Sequence, residues 1–141
     1  MPRDRRRAGN PREWLRRARS DLALAQVARG REGVLLEDLC FHAQQAAEKA
    51  TKALLVARGV PFPKTHVIAE LLTLAEDAGV SLADDIRQAA RLTRFASQTR
   101  YPGAAEDVTA DEHAEAVDVA ARVVSWAEGL IGSSGMVPGA G

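Results

Sequence analysis

The stretch Cys40–His66, CFHAQQAAEKATKALLVARGVPFPKTH, reads as a helix that ends at Gly59 and passes into a loop held extended by Pro61 and Pro63. Leu36, Leu39, Ala43, Ala46, Ala50, Ala53 or Leu54, and Ala57 recur at steps of three and four, so they share one face of a helix spanning about Val34 to Arg58. Most of that face is alanine, which lets a neighbouring helix approach closely. A second series, His42, Gln45, Lys49 and Lys52, steps by three, four and three and forms a polar stripe beside the apolar one. The central question is whether that stripe is a solvent face, with Glu48–Lys52 an i,i+4 ion pair, or the border of a site.

Working outward, helix punctuation recurs on both sides. Asn10 can cap a first helix that opens on Pro11, carries Trp14, Leu15, Ala18, Leu22, Ala25 and Val27, and stops at Gly30. Thr65 can cap a third helix, HVIAELLTLAEDAG, ended by Gly79, and Ser81 a fourth from Leu82 to about Ser97. Pro102 and Gly103 break the chain. Thr109 and Glu112 have the spacing of a capping box and open a last helix to about Ile131. No strand alternation and no internal repeat is present. The expected fold is all-α, an antiparallel bundle of four or five helices over residues 11–131, with a flexible basic tail at 1–10 and a flexible tail at 132–141.

The composition agrees with this. The chain has 141 residues, 46% of them hydrophobic and only 4% aromatic, which suits one alanine- and leucine-rich helical domain. Net charge is zero, so no global basic field marks a nucleic-acid binder. Charge is uneven, with arginines crowded before Ser20 and acids between Glu106 and Asp118. A single cysteine, Cys40, excludes an intrachain disulfide. No apolar run approaches a membrane span and no apolar segment follows the arginines as in a secretory signal, so the expectation is a cytoplasmic protein without membrane contact.

Motifs of the commonest chemistries are missing: there is no phosphate-cradling glycine loop, no HExxH, no CxxC and no GxSxG. No metal or cofactor is expected, and Glu106, Asp107, Asp111 and Glu112 suit the positive end of a helix better than a metal cage. Three features point to an anion. The first is the stripe His42, Gln45, Lys49, Lys52. The second is PFPKTH, where Lys64 and His66 flank an expected helix start, a place that favours phosphate. The third is RFASQTRYPG, where Arg94 and Arg100 offer bidentate forks and Tyr101 a stacking face. Each has a plain alternative: solvated lysines, a packed histidine, a tyrosine covering the bundle end.

Taken together, these stretches resemble the HEPN family (higher eukaryotes and prokaryotes nucleotide-binding domain). The resemblance rests on W-L-x-x-A-x-x-D-L from Trp14 to Leu22, on C-F-H-A-Q-Q-A-A-E-K-A followed by K-A-L-L, on P-K-T-H, and on T-R-Y-P, in that order, and covers about Glu13 to Leu130. It implies a helical bundle, a homodimer, and pairing with a minimal nucleotidyltransferase in a toxin–antitoxin-like system. The family is also similar to the helical domain of some antibiotic nucleotidyltransferases, which helps form a nucleotide and substrate cleft.

The family's active toxins are metal-independent ribonucleases marked by an arginine, four to six residues, and a histidine. This chain departs from that signature: Arg58 precedes His66 by eight positions and Arg100 precedes His113 by thirteen. The catalytic pair therefore does not transfer, and His42, His66 and Arg100 are left as candidates of the right chemical type. Three readings follow. The first is a dimeric module that binds a nucleotide or RNA phosphate and acts with a nucleotidyltransferase. The second is a ribonuclease with a variant site, and the third a helical partner protein with no ligand.

Overall fold

In a computed structural model, the structure describes residues 9–27, 31–97 and 107–140. Among them are five α-helices and one 3₁₀-helix and no strand: α1 Pro11–Val27, α2 Leu36–Ala57, α3 Ile68–Asp77, α4 Asp84–Arg87, the 3₁₀-helix Gln88–Ala96, and α5 Ala110–Ala140. The arginine-rich residues 1–8, the expected stop at Gly30 and the TRYPG turn, with Arg100 and Tyr101, lie outside the described residues.

Local chemistry sets most helix ends where the sequence marks them. The Glu13 amide donates to Asn10 Oδ1 at 2.9 Å, capping α1. Thr109 and Glu112 form the reciprocal capping box of α5, with the Glu112 amide on Thr109 Oγ1 at 3.1 Å and the Thr109 amide on Glu112 Oε1 at 3.0 Å. Gly59 (φ +69°) and Gly79 (φ +96°) take the left-handed conformation that reverses the chain after α2 and α3. The next amides then fold back, Val60 to the Leu55 carbonyl at 2.9 Å and Val80 to the Ala75 carbonyl at 3.1 Å.

Three boundaries differ from expectation. Helix α3 starts at Ile68 rather than at His66, and its first amide donates to Thr93 Oγ1 at 3.0 Å, while the Thr65 hydroxyl takes the Val67 amide at 3.0 Å. The cap therefore comes from another helix. The expected fourth helix is a four-residue α-turn followed by nine residues of 3₁₀-helix, and Ser81 does not cap it. Side chains three apart eclipse in a 3₁₀-helix, and Ala89, Leu92 and Phe95 are the buried ones, so the core contact suits that winding. Helix α5 runs on to Ala140, past the end near Ile131 and through the stretch read as a loose tail, although Gly132, Gly135 and Pro138 are poor helix formers.

Helix α2 is the centre of the bundle. Cys40, Ala43, Ala46, Ala47, Ala50 and Ala53 are fully buried in the main core with Leu15, Ala18 and Ala25 of α1 and Val119, Val123 and Val124 of α5. Leu54 and Leu55 join a second cluster with Leu71, Ala75 and Val80. Helix α1 is antiparallel to α2, since Trp14 lies near Lys52 and Asp21 near His42. It is also antiparallel to α5, since Arg19 pairs with Glu128 and Ala25 with His113. Helices α2 and α5 therefore run in the same direction, which requires the long crossover through α3, α4 and the 3₁₀-helix.

Candidate functional site

The polar stripe of α2 is not a solvent face. Alanines flank it on one side and α1 covers part of it, so its side chains meet groups from other elements. Asp21 of α1 is buried among them. Its Oδ1 lies 3.0 Å from His42 Nδ1, and its Oδ2 accepts from Lys49 Nζ at 2.7 Å. His42 and Lys49 remain partly exposed.

A second cluster forms one turn further along. Glu48 is buried; its Oε2 accepts from Lys52 Nζ at 2.8 Å, its Oε1 accepts from Gln44 Nε2 at 2.8 Å, and His66 Nδ1 lies 3.0 Å from the same Oε1. Lys52 is buried too, with its ammonium 5.7 Å from the ring centroids of both Trp14 and Phe62, an arrangement in which the ring faces add to the attraction of the carboxylate. Gln45 Nε2 donates to Gln44 Oε1 at 2.7 Å and so extends the Glu48 cluster.

The pattern repeats. Each buried carboxylate holds one lysine and one histidine, and each histidine presents Nδ1 to it. An ionised carboxylate only accepts hydrogen bonds, so each Nδ1 carries a proton and Nε2 is the nitrogen left for a ligand.

Of the residues singled out in the sequence, the structure brings together His42, Gln45, Lys49, Lys52 and His66. Lys64 is exposed two residues before His66 on the same loop. Arg94 belongs elsewhere: on the 3₁₀-helix it donates to Glu112 Oε2 at 2.8 Å and lies over the Phe95 ring. The start of α3 is not an open anion site at its first amides, because Thr65, Thr93 and the Val67 carbonyl already take those of Val67, Ile68 and Glu70.

Sequence reasoning passed over Asp21, Gln44 and Glu48. Asp21 stood in the W-L-x-x-A-x-x-D-L pattern without a role, although an acid amid the apolar positions of a helix is itself a signal. Glu48 read as the exposed partner of Lys52; the pairing is present and the exposure is not.

The remaining titratable core groups are structural. His113 is buried, and its Nε2–H donates to the Ala25 carbonyl at 2.9 Å, satisfying an acceptor in the last turn of α1. Burial pushes the Cys40 thiol up to about 12, so it stays protonated and unreactive. Glu112 is held below its ordinary value, chiefly by the Thr109 amide and then by Arg94. Among the described residues no helix is long and apolar enough to cross a membrane.

Comparisons with known proteins agree with this architecture. TT1696 from Thermus thermophilus superposes with a TM-score of 0.73 at 37% identity, over 85% of this chain and 97% of its own. An archaeal HEPN homologue, ST0689, superposes with a TM-score of 0.68 at 30% identity, over 86% of this chain and 98% of its own. No curated protein matches the chain. The profile of the HEPN domain matches residues 11–130, the span that holds both carboxylate clusters and the helices around them, and the chain belongs to the HEPN domain family.

Proposed function

We propose that this HEPN domain is a dimeric binding module whose α2 face takes the phosphate groups of a nucleotide or RNA, and that it acts beside a minimal nucleotidyltransferase in a toxin–antitoxin-like pair in the cytoplasm. The observation that carries this is the pair of buried carboxylates, each fixing a lysine of α2 and a histidine, His42 from α2 itself and His66 from the loop before α3. Fixed donors bind an anion at lower entropic cost than mobile surface chains. Lys49, His42, Gln45 and His66 face the ligand in this reading, Lys64 adds a mobile charge, and Lys52 supports Glu48 from beneath. Arg94, paired with Glu112 on the 3₁₀-helix, stands apart from this face.

Titration with single-stranded RNA and with nucleoside triphosphates, comparing the wild type with Lys49→Ala and Lys64→Ala, tests the binding. A loss of about tenfold for Lys49→Ala is expected from removal of one charge-assisted contact. Unchanged or undetectable binding leaves the third reading, a partner protein without a ligand. Light scattering on a sizing column tests the dimer, and co-elution with a nucleotidyltransferase tests the partnership.

A ribonuclease reading is favoured by a different aspect of the same geometry: a carboxylate-backed histidine suits a general base, and a lysine the charge that builds on phosphorus. RNA cleavage in EDTA that disappears in His42→Ala, His66→Ala or Arg100→Ala would establish it.

A further inference from the structure

We infer that anion binding on the α2 face is coupled to proton uptake by His42 and His66, so that the face holds a phosphodiester chain when these histidines are cationic and releases it when they are neutral. The inference rests on the binding reading above and adds how that site is controlled.

It follows from counting charges and lone pairs. Around His42 stand Asp21 from α1 and Lys49 from its own helix. Around His66 stand Glu48 and Lys52 from α2, with Lys64 on its own loop. Within each hydrogen-bonded cluster one carboxylate cancels one ammonium, so the histidine decides whether the cluster is neutral or carries one positive charge, and the exposed Lys64 adds a constant charge beside His66. Lys52 is enclosed between two rings and its carboxylate, so it cannot turn outward to compensate.

The hydrogen-bond inventory points the same way. With Nδ1–H directed at a carboxylate, a neutral imidazole has only a lone pair at Nε2. A phosphodiester oxygen is also an acceptor, so the two repel. Protonation turns Nε2 into a charged donor, and the same atom then attracts the phosphate. Histidine is the side chain whose charge changes in the physiological range, whereas the neighbouring Gln45 amide does not titrate.

The test uses the full chain and a deoxythymidine pentanucleotide without terminal phosphates, which does not titrate between about pH 5.5 and 8 and cannot be cleaved through a 2′-hydroxyl. Calorimetric titration in two buffers of different ionisation enthalpy gives the protons taken up on binding. The expected result is uptake on binding, with affinity falling by up to about tenfold per pH unit for each engaged histidine above its titration range. His42→Gln and His66→Gln should each lower the uptake, and the double variant should bind independently of pH. Binding with no proton uptake in the wild type overturns the inference and leaves the binding reading intact. No binding at any pH overturns both. Nitrogen chemical shifts of the two imidazoles in the free protein provide a separate readout: a neutral form protonated at Nε2 in both histidines also overturns the inference.

Discussion

The two clusters along α2 each join a buried carboxylate, a lysine and a histidine, and they differ in how they expose them. In the Glu48 cluster the carboxylate side chain is 3% exposed and its lysine 9%, while its histidine is 71% exposed. In the Asp21 cluster the carboxylate is 11% exposed, the lysine 25% and the histidine 32%. One cluster buries its ion pair and presents only an imidazole; the other presents both its lysine and its imidazole. The difference comes from what covers them. Trp14 and the Phe62 loop close over Lys52, whereas the α1 residues beside Lys49 supply Asp21 and leave the lysine a route to water. A carboxylate–lysine pair is therefore covered in one place and left more accessible in the other.

The largest effect should come from breaking the deep pair. Glu48→Ala leaves the Lys52 ammonium buried between two rings without its carboxylate, a situation that costs about 3–5 kcal/mol. Urea unfolding should show a large shift of the midpoint or an unfolded protein. Asp21→Asn should cost less, about 1–3 kcal/mol, because Lys49 can turn to solvent. Equal costs for the two changes would erase the contrast between the clusters.

Thr109→Ala provides a reference away from both clusters. Loss of that cap should cost about 1 kcal/mol in the same unfolding measurement. The partner acid also titrates differently from a free one. Glu112 has its folded pKa below the ordinary 4.5, so the stability it contributes is present above about pH 4.5 and is lost as pH falls through the lower folded value. Thr109→Ala keeps the backbone amide and Arg94 that chiefly hold Glu112 low, so this acid-range dependence should persist in it, whereas Glu112→Gln should flatten it and leave the pH dependence near neutrality unchanged.

The smallest stability effect is expected for His66→Ala, under about 1 kcal/mol, because that ring is largely in water. Its effect on anion binding should be the larger one. A histidine change that lowers stability strongly and leaves binding by the folded protein untouched would reverse the roles assigned to the exposed and covered ends of the Glu48 cluster.

Much of this was legible in the sequence. Asn10 over Glu13, Thr109 against Glu112, and the stops at Gly59 and Gly79 all act within a few residues. The alanine face of α2 and the membership of His42, Gln45, Lys49 and Lys52 in one stripe follow from helical spacing alone. The 3₁₀ winding of Gln88–Ala96 was not legible, since a step of three is compatible with both helix types and the packing of Leu92 and Phe95 decides between them.

The sequence by itself determined the helices, the caps at Asn10 and Thr109 and the alignment of polar groups along α2, because hydrogen bonds between near neighbours depend only on spacing and residue type. The tertiary structure decided which of those polar groups are buried and whom they meet. Asp21 reaches Lys49 across 28 positions, Thr93 caps Ile68 across 25, and Glu48 meets His66 across 18. Whether a carboxylate and a lysine on one helix face stand in water or beneath a tryptophan depends on what another part of the chain lays over them, and the local sequence carries no record of that.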